Sequence, residues 1–242
     1  MQRSLLVFGG TGFLGSRICK YAADQGFSVI SISPSGLPKD SKRQHDSVQY
    51  MKGDAMDHST YSHLIPEVTS VVHSIGTLLD SRTPLNINNT YKGSYEHLNR
   101  DSALRICEAL EGKDKTFVYL SAQRGLFFSP RYLSTKRDVE DYLSKNREKV
   151  PSCVVRPGFM YSNDCMLMKT VASVIDLSNM KDGILQGLGL GKLSETFVPS
   201  KSLDVDLVAK VAVLGALQPE LRGATLDVAD IERTAQEYHS VV

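Results

Sequence analysis

The chain has 242 residues, 41% of them hydrophobic and 23% charged, with 28 basic and 27 acidic side chains and a formal net charge of +1. That balance is globular, is long enough to bury a core without covalent staples, and gives no reason to expect a nucleic-acid partner. No run of 18 apolar residues occurs, so no membrane-spanning helix is expected. Cys19, Cys107, Cys153 and Cys165 form no CxxC pair and no zinc-spaced cluster with histidine. They read as small buried hydrophobes in a reducing compartment, with no metal site. The first strand begins by Ser4, which leaves no room for a leader after Met1 and predicts a cytosolic or organelle-matrix setting.

In chain order, SLLVFGG reads as a buried strand running into a turn. FLGSRICKYAADQG follows, with Leu14, Ile18, Tyr21 and Ala22 at helical spacing and Gly26 as its cap. FSVISIS is a second strand, so strand, glycine turn, helix and strand fit within one βαβ unit. A short strand (VQYMKGDAMD), a short helix (YSHLIPEV) and a strand (SVVHSIG) come next. Residues 80–95 are polar and aperiodic, as in a surface loop. Beyond them, YEHLNRDSALRICEALEG is a helix, KTFVYLSA a strand, YLSTKRDVEDYLSKN a helix and PSCVVRPGFMY a strand. This alternation predicts an α/β fold, a doubly wound parallel sheet of the Rossmann type over residues 1–162. From residue 163 the alternation weakens, and residues 163–242 are expected to form a small, partly helical cap packed on that domain. LMKTVASVIDLSNM and DVDLVAKVAVLGAL read as its helices. Gly187, Gly189 and Gly191 follow no strand and read as a loop.

Gly9, Gly12 and Gly15 lie between strand and helix, where a dinucleotide pyrophosphate sits in this kind of fold. The stretch Gly9, Gly10, Thr11, Gly12, Phe13, Leu14, Gly15 is therefore the candidate cofactor turn, with the helix amides and dipole aimed at the anion. The second strand ends in Ser33, Pro34 and Ser35 with no carboxylate, and Lys39, Lys42 and Arg43 are nearby. A carboxylate there would repel a 2′-phosphate, so NADP(H) is expected over NAD(H), although the basic side chains also fit a solvated loop. Asp54 is placed either to accept from an adenine amino group or to serve as a turn aspartate.

Tyr132 and Lys136 are four residues apart on one helix face, a spacing at which an ammonium lowers a phenol's pKa and lets it act as acid or base. The lysine can also hold ribose hydroxyls. Ser121 ends a strand eleven residues before Tyr132, where its hydroxyl could clamp a substrate carbonyl. Phe127, Phe128, Met160, Met166 and Met168 fit an apolar pocket or ordinary packing, and His73 a satisfied core histidine.

GGTGFLG, YLSTK with Ser121, and VVRPGFMY together resemble the short-chain dehydrogenase/reductase superfamily, and the Arg-Pro-Gly segment resembles its extended and atypical branches. The resemblance covers about residues 4–161. It implies catalytic roles for Ser121, Tyr132 and Lys136, backbone contacts to the nicotinamide amide from Pro157, Gly158 and Phe159, and adenosine contacts from Ile75 and Gly76. It also aligns Asn99 with a helix asparagine. VVHSIGTLLD and SPRYLSTKRDVEDYL further resemble a fungal mitochondrial branch attached to coenzyme Q biosynthesis and related to the NADPH-binding accessory subunit of respiratory complex I. That implies a matrix protein peripheral to the inner membrane, a quinone-like small molecule, and the coenzyme Q biosynthetic complex as partner.

Overall fold

The computed structural model describes residues 3–77, 91–123, 130–162 and 201–238. Seven strands form one sheet: β1 (Ser4–Phe8), β2 (Ser28–Ser33), β3 (Val48–Lys52), β4 (Ser70–His73), β5 (Thr116–Leu120), β6 (Ser152–Val155) and β9 (Thr225–Leu226). Their order is β3-β2-β1-β4-β5-β6-β9, and every pairing is parallel. The expected doubly wound sheet is thus present. The chain steps outward from β1 to β3, then returns to lay β4 beside β1, and this reversal opens a crevice at the carboxyl ends of those two strands.

The strands are near-continuous apolar runs because both faces are covered. Alternate residues of β1 feed different cores. Leu5 and Val7 pack with Ile18 and Ala22 of α1 (Phe13–Asp24) and with α4 (Val205–Leu217). Leu6 and Phe8 pack with Ile106 and Leu110 of α2 (Ser102–Leu110) and with Val139 and Leu143 of α3 (Pro130–Lys145). Helix α1 stops at Gln25, and Gly26 follows at φ +79, the left-handed position where glycine avoids a Cβ clash.

Four details differ from the sequence expectation. The segment after β3 is a 3₁₀ turn, Ser62–Glu67, because Pro66 removes an amide from the helical ladder. The helix before β5 opens with a π-helical turn, Glu96–Asp101. PSCVVRPGFMY is two strands, not one: Pro157 follows β6, and β7 (Met160–Tyr161) pairs in a separate sheet with β8 (Leu203–Asp204). Finally, the cap expected over 163–242 needs correcting at its end. Helix α4 lies along α1 and against β4, β5 and β6, β9 is the seventh strand of the main sheet, and α5 (Val228–Glu237) packs on α4. α4 is buried nearly all round, which identifies it as an interior helix of the Rossmann layer. Residues 163–200, including Cys165, Met166, Met168 and the Gly187–Gly191 run, lie outside the described residues, as do Phe127 and Phe128.

Candidate functional site

Four glycines shape the turn after β1 in different ways. Gly9 has φ +82, and a Cβ there would come within 3.1 Å of the Ser74 and Ile75 backbone. A Cβ on Gly15 would sit 2.2 Å from the Gly9 carbonyl oxygen, so only glycine lets α1 approach the turn this closely. Gly10 is closed in by Ser31 and Cys19, with Ser31 Oγ 2.3 Å from the position of a Cβ. Gly12 is different, because a Cβ would meet only the Gly9 carbonyl oxygen at 3.2 Å. Its free side faces a cavity of about 500 Å³. Gly12 is the N-cap of α1 and offers no capping side chain, and the first turn holds no acidic residue. The first amides of α1 and the positive end of its dipole therefore stay available to an anion. Thr11 is half-buried in the same turn.

The cavity continues from Gly12, Phe13 and Leu14 past Ile75 and Gly76 to Ser121, Tyr132 and Lys136. Pro157, Gly158 and Phe159 close its far side. The sheet brings these segments together from the ends of β1, β4, β5 and β6 and from α3. Ser33, Ser35 and Asp54 lie at the ends of β2 and β3, outside the cavity wall. There Ser33 Oγ donates to the Gly36 carbonyl at 3.1 Å and Ser35 Oγ to Leu37 at 3.1 Å. Asp54 Oδ1 accepts from the Met56 amide at 2.9 Å, an Asx turn. Asp40, the carboxylate closest in sequence to this corner, caps the Lys42 amide and lies 3.8 Å from Arg43.

Lys136 is buried, and its Nζ donates to the Leu120 carbonyl at 2.9 Å and lies 5.0 Å from the centre of the Tyr119 ring. Burial brings its pKa down from the usual 10.5 to about 7, against an opposing pull from Glu140. Tyr132 is also buried, packed edge-on against Tyr95 with ring centres 5.5 Å apart. Desolvation first, and Tyr95 second, push its phenol up to about 12. Burial thus works against the lysine-lowered tyrosine expected from the sequence. Next to them Asn99 is fully buried on the π-helical turn. Its Oδ1 accepts from the Thr77 amide at 3.0 Å and its backbone carbonyl from the Tyr119 hydroxyl at 2.8 Å. Its Nδ2 has no hydrogen-bond partner among the described residues. His73 is buried as expected, its imidazole held neutral by desolvation and 2.8 Å from Ser102 Oγ, with Nδ1 unpartnered among the described residues.

Ser121 stands in the wall, but its hydroxyl is engaged. It donates to Glu140 Oε1 at 2.5 Å and accepts from Arg137 at 3.1 Å. Glu140 is buried and also receives Arg137 at 2.5 Å and a fork from Arg156, one arm at 2.9 Å. Reading the sequence missed this carboxylate. Its one signal was spacing: Tyr132, Lys136 and Glu140 recur every four residues on one face of α3.

Residues 5–125, half of the chain, match the NAD dependent epimerase/dehydratase family. The chain belongs to that family. The assignment agrees with the extended short-chain dehydrogenase/reductase character of its motifs. Among relatives, MIOREX complex component 2 of Saccharomyces cerevisiae is 30% identical over 204 residues, 66% of this chain and 74% of the yeast protein. An uncharacterized chloroplastic protein of Arabidopsis thaliana is 28% identical over 158 residues, 65% of this chain and 50% of that one. Among solved structures, the Bordetella bronchiseptica enzyme WbmF in complex with NAD+ superposes with a TM-score of 0.64 at 16% identity, covering 98% of this chain and 78% of the enzyme. At that identity the likeness is one of fold.

The donor set suits a nicotinamide dinucleotide. The glycine cradle is open on one side only at Gly12, the α1 amides point into the same space, and Lys136 and the unpartnered Asn99 amide lie beyond it.

Proposed function

We propose that this chain is an NADP(H)-binding oxidoreductase-like protein that acts on a carbonyl or quinone intermediate of coenzyme Q biosynthesis. The observation that carries the reading is the meeting of an open glycine turn and a buried Tyr132–Lys136 face in one cavity. A bound nicotinamide ring would supply or accept a hydride. Gly12 and the first amides of α1 would hold the pyrophosphate, and Lys136 would donate to ribose hydroxyls. Tyr132 would give its phenolic proton to the substrate oxygen, or take it back in the reverse direction. Phe13, Leu14 and Phe159 would keep water from the reacting atoms. The serine corner after β2, which has no carboxylate of its own, supports NADP(H) over NAD(H). Resemblance supports a mitochondrial location, on the matrix side of the inner membrane, in contact with the coenzyme Q biosynthetic complex.

Two observations favour a second reading, a non-catalytic dinucleotide-binding scaffold or regulatory subunit. The yeast relative is named as a component of a complex, and the Ser121 proton is committed to Glu140. Complementation separates the two readings. In cells lacking the protein, Tyr132→Phe should fail to restore coenzyme Q if the site is catalytic. Full restoration by Tyr132→Phe, with failure of Gly12→Val, would assign the protein to the scaffold class.

A further inference from the structure

The Ser121 hydroxyl and two arginines converge on one carboxylate. Glu140 is buried at the foot of α3 and accepts from Ser121 at the end of β5, from Arg137 of its own helix and from Arg156 at the end of β6. Arg137 also donates to the Ala122 carbonyl at 2.8 Å. These bonds tie two strand ends to the helix that carries Tyr132 and Lys136. Arg156 immediately precedes Pro157, Gly158 and Phe159, so the same carboxylate anchors the far wall of the cavity.

We propose that Glu140 is the positioning residue of this cavity, a buried carboxylate that fixes the Ser121 hydroxyl and provides the negative charge against which Lys136 works. The inference rests on the dinucleotide reading above. Its first consequence concerns Ser121. The hydroxyl has one proton and gives it to Glu140, so toward a ligand Ser121 presents a lone pair and accepts rather than donates. A clamp on a carbonyl oxygen needs a donor, and the Tyr132 hydroxyl in the same cavity wall is one.

The second consequence concerns charge. Lys136 is faced by His73 of β4, by Tyr119 of β5, and by Tyr132 and Glu140 of its own helix. Desolvation holds His73 neutral and Tyr132 protonated, which leaves Glu140 as the anion of that group. Arg137 and Arg156 partly offset it. Removing the carboxylate would leave two guanidiniums beside a buried amine and favour the neutral amine. Removing Arg156 would do the opposite. A change that merely loosened the fold would not produce shifts of opposite sign.

The test is dinucleotide binding by the full chain from about pH 6 to about pH 9 at fixed ionic strength, with NADPH and with NADH. The second probe lacks the 2′-phosphate, which itself titrates. In the wild type, affinity should fall as pH rises through about 7, where Lys136 loses its proton. In Glu140→Gln the fall should begin about one pH unit lower, and in Arg156→Met it should begin higher. Midpoints that stay put, or that move in the same direction in both variants, would overturn the proposal. Should Glu140→Gln fail to fold, Arg156→Met decides alone: an upward shift supports the proposal and its absence refutes it. A wild type that binds neither probe at any pH would instead refute the dinucleotide reading.

Discussion

At the residue scale, burial governs the chemistry of Tyr132 and Lys136. Loss of hydration pushes the phenol up to about 12 and brings the amine down to about 7. On the catalytic reading proposed above, Tyr132 starts as a proton donor and the tyrosinate is not pre-formed. Tyr132→Phe is expected to lower turnover by roughly 10²–10⁴-fold while leaving dinucleotide affinity close to wild type, because only the proton-transferring oxygen is lost. Steady-state kinetics alongside calorimetry would check it, and a variant with full turnover would remove Tyr132 from the chemistry. Lys136 has a linkage consequence of definite sign. Its native pKa is about 7 and the unfolded chain restores it toward 10.5, so between those values the unfolded state holds the extra proton. Stability contributed by this group therefore rises with pH across that window. Lys136→Met should flatten that rise in denaturant titrations at several pH values. An unchanged slope would mean that the amine is solvated in the native state.

At the element scale, the tightest constraint is the seam between the β1 turn and α1. A methyl group at Gly15 falls 2.2 Å from the Gly9 carbonyl and 2.6 Å from Ser74 Oγ, and backbone cannot yield as a side chain can. Gly15→Ala should cost roughly 1–3 kcal/mol, typical of overpacking, and should weaken dinucleotide binding by displacing α1. Urea midpoints and a binding titration measure the two effects. Gly112→Ala is a useful contrast, because no atom lies within 4 Å of its Cβ position and only the strain of φ +70 remains. Much of this seam was legible in the sequence, since glycine spacing, the apolar run before it and the helical period after it all report local geometry. The Tyr132–Lys136 face was legible for the same reason. The Ser121–Glu140–Arg156 cluster was not, because its members meet only when β5, β6 and α3 are brought together. Nor was the role of β9, whose two residues carry no periodic signal of their own. The break within PSCVVRPGFMY was signalled by Pro157, which the apolar run around it concealed.

At the scale of the whole molecule, the parallel sheet sets a scaffold and its reversal between β1 and β4 sets the place of the cavity. Membership of the NAD dependent epimerase/dehydratase family and the fold shared with WbmF agree with that scaffold. The fold itself selects neither enzyme nor scaffold, so function turns on what this cavity holds. Among the described residues no helix is long and apolar enough to cross a membrane. The most direct measurement is isothermal calorimetry of the wild type and a folded Gly12→Val variant with NADPH and with NADH at one stated salt concentration. A valine side chain at Gly12 would enter the open side of the turn. The account predicts binding of both dinucleotides by the wild type, tighter for NADPH, and loss of both in the variant. Equal affinities in wild type and variant would contradict a pyrophosphate site at this turn.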